Sequence, residues 1–128
     1  MKRSAAVLVL ALATSAQAGA PPATGAKAFA GQWNGSWDNQ LPTTLVVEPV
    51  SPTAARIIYE WGASDAWKID TPGFIRGMAE VEGNRLVTAV PGGGTAIYVL
   101  QPDGTLAATL IGPFPPPKGG TVHATMKQ

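Results

Sequence analysis

Apolar and polar residues alternate along most of the chain after residue 28, and a period of two is typical of strands that bury one face. In the last such segment Val122, Ala124 and Met126 fall on one face, and the residues between them are polar. Helical spacing is not sustained over three turns anywhere, and a single turn fits best between Ala63 and Ile69. The pattern predicts eight strands: Gly31 to Trp37, Thr43 to Pro49, Ala55 to Trp61, Phe74 to Val81, Arg85 to Val90, Thr95 to Gln101, Thr105 to Ile111 and Thr121 to Lys127.

The segments between these strands have the composition of turns. Glu82-Gly83-Asn84 and Pro102-Asp103-Gly104 are short glycine-containing loops of the kind that join hairpins. Short loops between neighbouring strands predict an antiparallel meander. Two connections are longer, Gly62 to Gly73 and Gly112 to Gly120. Because binding residues concentrate on longer loops of a rigid scaffold, we expect both to form the rim of a site.

A meander with one apolar and aromatic face has to cover that face. Closing eight strands into a barrel buries it and removes both sheet edges. The predicted fold is therefore all-β, an eight-stranded antiparallel up-and-down barrel, wide enough for its own side chains or for one small ligand. An open β-sandwich would give the same alternation and is the alternative. Closure requires that the first and last strands, Gly31 to Trp37 and Thr121 to Lys127, pair with each other.

Residues 1–18 have the composition of a cleavable export signal. Lys2 and Arg3 precede an apolar run from Ala5 to Ala13, and Ala16-Gln17-Ala18 supplies a small-x-small cleavage site. The run is about half of the roughly 20 residues that a membrane-spanning helix needs, so we expect no membrane span after cleavage. The sequence predicts a periplasmic or secreted protein with a flexible segment at 19–28 and a barrel domain at 29–128.

Charge and cysteine content exclude several classes of function. Removal of Lys2 and Arg3 leaves seven basic against eight acidic residues, and this near-neutral balance predicts no nucleic-acid binding. The chain has no cysteine, so neither disulfides nor thiolate chemistry is expected. The partners that remain are a small-molecule ligand or another protein.

Catalytic and metal-binding patterns are weak. His123 is the single histidine, it falls on the polar face of the last strand, and no G-x-S-x-G motif accompanies it. There is no cluster of metal-ligating residues, so neither a metal nor a cofactor is expected. Glu48 and Glu60 fall on the outward face of neighbouring strands, where a surface charge cluster is favoured over a carboxylate-pair hydrolase. No catalytic residue is assigned, and the sequence favours a binding protein over an enzyme.

Aromatic residues carry the sharpest functional hypothesis. Most fall on the inward face, where large rings form a core. Trp67 differs because it lies in the 62–73 loop, where it either caps a barrel mouth or stacks on a ligand. With Trp61 and Phe74 at the ends of this loop, the pattern predicts a site for a small hydrophobic, aromatic or sugar-like ligand. The candidate ligand-binding residues are Trp37, Tyr59, Trp61, Trp67, Phe74 and Tyr98.

The run Phe29-x-Gly31-x-Trp33-x-Gly35-x-Trp37 resembles the G-x-W opening of calycin-type barrels, the lipocalin and avidin group. In that group the first-strand tryptophan packs across the closed end of the barrel. Together with Leu45-Val46-Val47-Glu48 and Tyr59-Glu60-Trp61-Gly62, the pattern is similar to small exported bacterial domains of unassigned function. The resemblance implies a calycin-like barrel.

A protein-interaction domain is the competing hypothesis. Its apolar loops, including Phe114-Pro115-Pro116-Pro117, would dock a partner. Prolines lack a backbone donor and favour an extended conformation, so this run could present a rigid edge.

Overall fold

All eight predicted strands are present in the computed structural model, which describes residues 24–90, 92–113 and 119–128. A short 3₁₀ helix at Gly25–Phe29 precedes them and includes residues 25–28 of the segment expected to be flexible. The predicted export signal lies outside the described residues. In the ranges that are described, no helix is long and apolar enough to cross a membrane. The strands are β1 Gly31–Trp37, β2 Leu41–Ser51, β3 Ala54–Trp61, β4 Gly73–Glu82, β5 Arg85–Val90, β6 Gly94–Leu100, β7 Leu106–Gly112 and β8 Gly120–Met126.

The strands form one antiparallel sheet in the order of the sequence, so the predicted meander is confirmed. The first hairpin shows how local sequence sets the turn. Asp38 and Asn39 both have positive φ, 48° and 58°, and the Gln40 N–H donates to the Trp37 carbonyl at 2.8 Å. Two successive left-handed residues make a type I′ turn, whose twist matches that of the strands that it joins.

The first and last strands meet, so the barrel is nearly closed. Asn34 and Lys127 exchange two backbone hydrogen bonds with N···O distances of 2.8 and 2.9 Å. Further along the same seam, the Asp38 N–H donates to the His123 carbonyl at 2.8 Å, and the Asp38 carboxylate accepts from the His123 N–H at 2.9 Å. The predicted up-and-down barrel is confirmed, and the alternative of an open sandwich is wrong.

The two ends of the barrel differ. We call the end that holds Gly25–Phe29 the plugged end, because this helix lies beside the β2–β3 turn, with the Ala26 N–H donating to the Pro52 carbonyl at 2.9 Å. Phe29 is fully buried there, and its carbonyl accepts a hydrogen bond of 2.8 Å from the Trp33 indole. The opposite end, which we call the loop end, carries the 62–72 connection.

Alternation places the core inside the barrel as expected. In β7, Leu106, Ala108 and Leu110 are buried, whereas the residues between them are exposed or partly exposed. The largest fully buried side chains include Trp33, Trp37 and Tyr98.

The ladder between β4 and β5 is incomplete. Glu80, Val81 and Glu82 pair with Val87, Leu86 and Arg85, but the strands do not continue pairing toward the loop end. The stretch of β4 from Gly73 to Ala79 and the last three residues of β5 therefore diverge. We call the opening between them the slot.

Candidate functional site

An apolar cavity of about 180 Å³ lies in the barrel at the loop end. A cavity of about 150 Å³ with aliphatic and aromatic walls is known to stay dry and to admit benzene. The interior therefore retains space for a molecule about the size of one six-membered ring. Its walls are formed by Leu41, Tyr59, Trp61, Trp67, Ile69, Val90 and Leu110.

The 62–72 connection folds over the loop end and inserts Trp67 into the barrel. Ser64 and Ile69 exchange backbone hydrogen bonds of 2.9 Å, which fix the turn that carries this side chain. The Trp67 N–H donates to the Ser64 hydroxyl at 3.2 Å, and its indole N–H donates to the Gln40 side-chain oxygen at 3.1 Å. Only 1% of Trp67 is exposed. Trp67 thus caps the barrel mouth, and its ring also forms part of the cavity wall.

Tyr59 lines the cavity and connects it to two further buried aromatic residues, Trp37 and Tyr98. The Trp37 indole donates to the Tyr59 hydroxyl at 3.0 Å, and the rings of Trp37 and Tyr98 lie 6.4 Å apart between centroids. Burial raises the pKa of Tyr59, partly offset by the hydrogen bond from Trp37. Burial raises the pKa of Tyr98 well above its usual value, and the charge of ionised Tyr59 would raise it further. The buried Tyr98 hydroxyl has no hydrogen-bond partner among the described residues.

Five of the six candidate ligand-binding residues gather in this region. Tyr59, Trp61 and Trp67 line the cavity, while Trp37 and Tyr98 lie behind Tyr59 and outside the lining.

Phe74 is placed elsewhere, on the outer face of the barrel. It is 56% exposed, and its ring lies against the Arg76 guanidinium, 5.3 Å from the ring centroid. The reason is its register, because Phe74 pairs with the outward-facing Glu60. The structure does not bring Phe74 to the cavity.

Four residues of the cavity wall were not among the candidates. Alternation along β7 places Leu110 on the inward face but does not link it to a site. Leu41 precedes the predicted start of β2 by two residues, and extending the alternation by one step would have placed it inside. Val90 ends β5 in phase with the buried Leu86. Ile69 has no comparable signal, since the path of an irregular loop is not periodic.

The groups considered for hydrolysis lie on the outer surface. Glu48 forms an exposed ion pair with Arg56 at 3.6 Å. Glu60 pairs with Thr44, four residues along β2 from Glu48, which corresponds to about 13 Å of strand. Carboxylate pairs in glycosidases are at most about 9.5 Å apart.

His123 is also on the outer face. It is exposed, and its imidazole lies 3.4 Å from the Thr109 hydroxyl. Within the ranges that the structure describes, no three histidine, aspartate or glutamate side chains are grouped to hold a metal ion.

Both tyrosines of the chain are buried, and this should make stability depend on alkaline pH. Because burial raises both pKa values, the unfolded chain loses phenolic protons above about pH 10 while the folded protein keeps them. We expect no tyrosine-linked change in the free energy of unfolding below that pH. Above it, we expect a decline of up to about 1.4 kcal/mol per pH unit for each tyrosine.

Urea unfolding at several alkaline pH values, with tyrosinate absorbance followed in parallel, measures this decline. The Tyr98→Phe variant should lose about half of the pH dependence. Tyrosinate absorbance that develops near pH 10 while the protein is still folded would contradict the prediction.

Neither a protein-family model nor a curated protein matches this chain. Its class is therefore defined by the fold and the cavity. It is a small eight-stranded up-and-down β-barrel with an apolar interior cavity beneath a tryptophan-capped end.

Proposed function

We propose that this protein binds a small hydrophobic or aromatic molecule, about the size of one ring, in the cavity at the loop end. The cavity of about 180 Å³ is the observation that carries this function. Close-packed interiors leave few voids larger than a water molecule, so a void of this size forfeits dispersion contacts that a ligand would restore.

The lining favours an apolar ligand over a sugar. The Tyr59 hydroxyl already accepts a hydrogen bond from Trp37, and the Trp67 indole already donates to Gln40. The aliphatic residues of the wall offer no polar group. A sugar would bury several hydroxyls without partners, at a cost of roughly 1–3 kcal/mol each.

We further propose that the barrel is calycin-like and acts in the periplasm or outside the cell. The contact between Trp33 and the Phe29 carbonyl supports the first point, because the first-strand tryptophan lies at the plugged end. The signal-like composition of residues 1–18 supports the second.

Calorimetric titration with benzene, toluene and glucose tests the proposed function. We expect saturable binding of benzene and toluene, with a higher melting temperature in their presence, and no binding of glucose. Two variants of β7 make a matched pair. Leu110→Trp places a larger ring in the cavity and should weaken benzene binding at least about tenfold, whereas Ile111→Trp, at an outward position that is 46% exposed, should bind normally.

Two results would count against a ligand site in the cavity. One is the absence of heat with every apolar compound in a folded protein. The other is equal benzene affinity in the Leu110→Trp and Ile111→Trp variants, which would place the binding elsewhere on the molecule.

A protein-interaction domain is the second candidate. Phe74 and Met78 are each 56% exposed on the outer face of β4, so this face offers apolar contact area. The proline-rich run 114–117 lies outside the described residues. The titration also separates the two candidates, because a folded protein that binds none of the apolar compounds would leave the outer face as the favoured site.

A further inference from the structure

The slot gives the interior a lateral opening. Pairing between β4 and β5 stops at Glu80 and Val87, and both strands run on toward the loop end without a ladder between them. The six other ladders between consecutive strands each extend over six or more residue pairs. The ladder between β4 and β5 is therefore the shortest between consecutive strands, while β1 and β8 meet through the Asn34–Lys127 bridge and the Asp38–His123 hydrogen bonds.

Gly77 marks the position of the opening on the β4 side. It pairs with the buried Ile57, so it belongs to the inward face of β4 together with Ala79. Ala79 is 2% exposed, but Gly77 is exposed, and a Cβ placed on Gly77 would have no atom within 4 Å. An inward position in a complete barrel wall would face packed side chains. Open space at Gly77 shows that the wall is breached there.

The β5 side of the slot borders the cavity directly. Val90 is the last residue of β5, it lies beyond the paired region, and its side chain lines the cavity. No residue of β4 is part of the cavity wall. The cavity is thus bounded on this side by Val90 of β5, while β4 contributes Ile75 to the packing around the core and leaves the open space at Gly77.

The mouth at the loop end offers a poorer route. Trp67 obstructs part of it, since 1% of this residue is exposed and its indole donates a hydrogen bond to Gln40, while Trp61 and Ile69 of the cavity wall are partly exposed. A ligand that passed Trp67 at the mouth would have to displace its side chain and break the bond to Gln40. A ligand that entered by the slot would meet the open space at Gly77 instead.

We propose that the slot between β4 and β5 is the entrance to the cavity, and that an apolar ligand passes between Gly77 and Val90 while Trp67 stays in place. This inference rests on the proposed function, because it names the route to the same site.

The opening itself can be measured without any ligand. Because the chain has no cysteine, a single one can be introduced at Gly77 or at the buried Ala79, two residues away on the same inward face. We expect methyl methanethiosulfonate to react with the Gly77→Cys variant at least about a hundredfold faster than with Ala79→Cys, whose thiol is reached only through local opening. Equal rates in the two folded variants would overturn the proposal.

The entrance is tested by the exchange kinetics of fluorobenzene, followed by fluorine NMR. Gly77→Ile puts a branched side chain into the slot without entering the cavity wall. We expect the association and dissociation rates of fluorobenzene with this variant to fall together by at least about tenfold, while the affinity changes little. A blocked entrance slows both entry and exit but does not change the contacts of the bound ligand. Met78→Ile, on the outer face of the same strand, is the matched control and should exchange at the wild-type rate.

A third variant tests the alternative route. Gln40→Ala removes a hydrogen bond that holds Trp67 and should leave the rates unchanged if ligands use the slot. Faster exchange in Gln40→Ala, or unchanged exchange in Gly77→Ile, would overturn the entrance while leaving the cavity as the binding site. The absence of fluorobenzene binding in the wild-type protein would overturn the proposed function and the entrance together.

Discussion

Replacing Trp67 with alanine is expected to lower the free energy of unfolding by about 3–5 kcal/mol, the usual cost of truncating a large buried ring. The side chain is 1% exposed and forms part of the cavity wall, so its removal enlarges an existing void. The backbone bonds between Ser64 and Ile69 hold the turn in place and limit how far the loop can collapse into that void. Urea unfolding of the wild-type protein and the variant measures the difference.

Two variants around the same loop separate the buried ring from its hydrogen bond. Phe74→Ala truncates an aromatic side chain that is 56% exposed, and it should change stability by no more than about 0.5 kcal/mol. Gln40→Ala removes the acceptor of the Trp67 indole and should cost about 1 kcal/mol. If Trp67→Ala were no more destabilising than Phe74→Ala, Trp67 would not be the cap of the barrel.

The strands were predictable because their signal is local. A residue of a barrel strand faces either the core or solvent, so alternation alone identifies Leu106, Ala108 and Leu110 as core positions. Alternation alone could not distinguish a barrel from an open sandwich, because both bury one apolar face, and the contact between β1 and β8 is what distinguishes them.

The side of the sheet on which the Phe74 side chain lies could also have been predicted. Phe74 is seven residues from Val81, which is buried, and an odd separation along a strand places two side chains on opposite faces. Its position at the end of the long loop suggested a place in the site, but the strand register determines where its side chain points.

The cavity and its cap depend on information that periodicity does not carry. The burial of Trp67 depends on the two backbone hydrogen bonds between Ser64 and Ile69 and on the hydrogen bond from its indole to Gln40, which is 27 residues away. The slot could not be predicted from the sequence either. Alternation in β4 shows which residues face inward, but it does not show how many residues of β5 pair with β4. Gly73 and Gly77 both lack a side chain at inward positions of β4, and the sequence does not show that open space lies only at Gly77.

Gly35→Ala is expected to have the second large effect, because the close approach of β1 and β8 leaves no room for a side chain there. A Cβ at Gly35 would lie 2.6 Å from the Met126 sulfur and 2.7 Å from the Thr125 carbonyl oxygen. The sulfur belongs to a flexible side chain and can move. The carbonyl oxygen belongs to the backbone of β8, which is held to β1 by the hydrogen bonds between Asn34 and Lys127. Relief of this contact therefore requires the two strands to separate.

We expect Gly35→Ala to destabilise the protein by an amount at the upper end of about 1–3 kcal/mol, since a rigid neighbour makes overpacking costly. Gly77→Ala is the matched control, because its Cβ would meet open space and alanine restricts the unfolded chain. It should be neutral or stabilising by about 0.4–1 kcal/mol. Urea unfolding compares the two variants, and hydrogen exchange at the Asn34 and Lys127 amides reports whether the seam has loosened. Equal stability of both variants would mean that β1 and β8 are not in close contact, and the barrel would then be open at this edge.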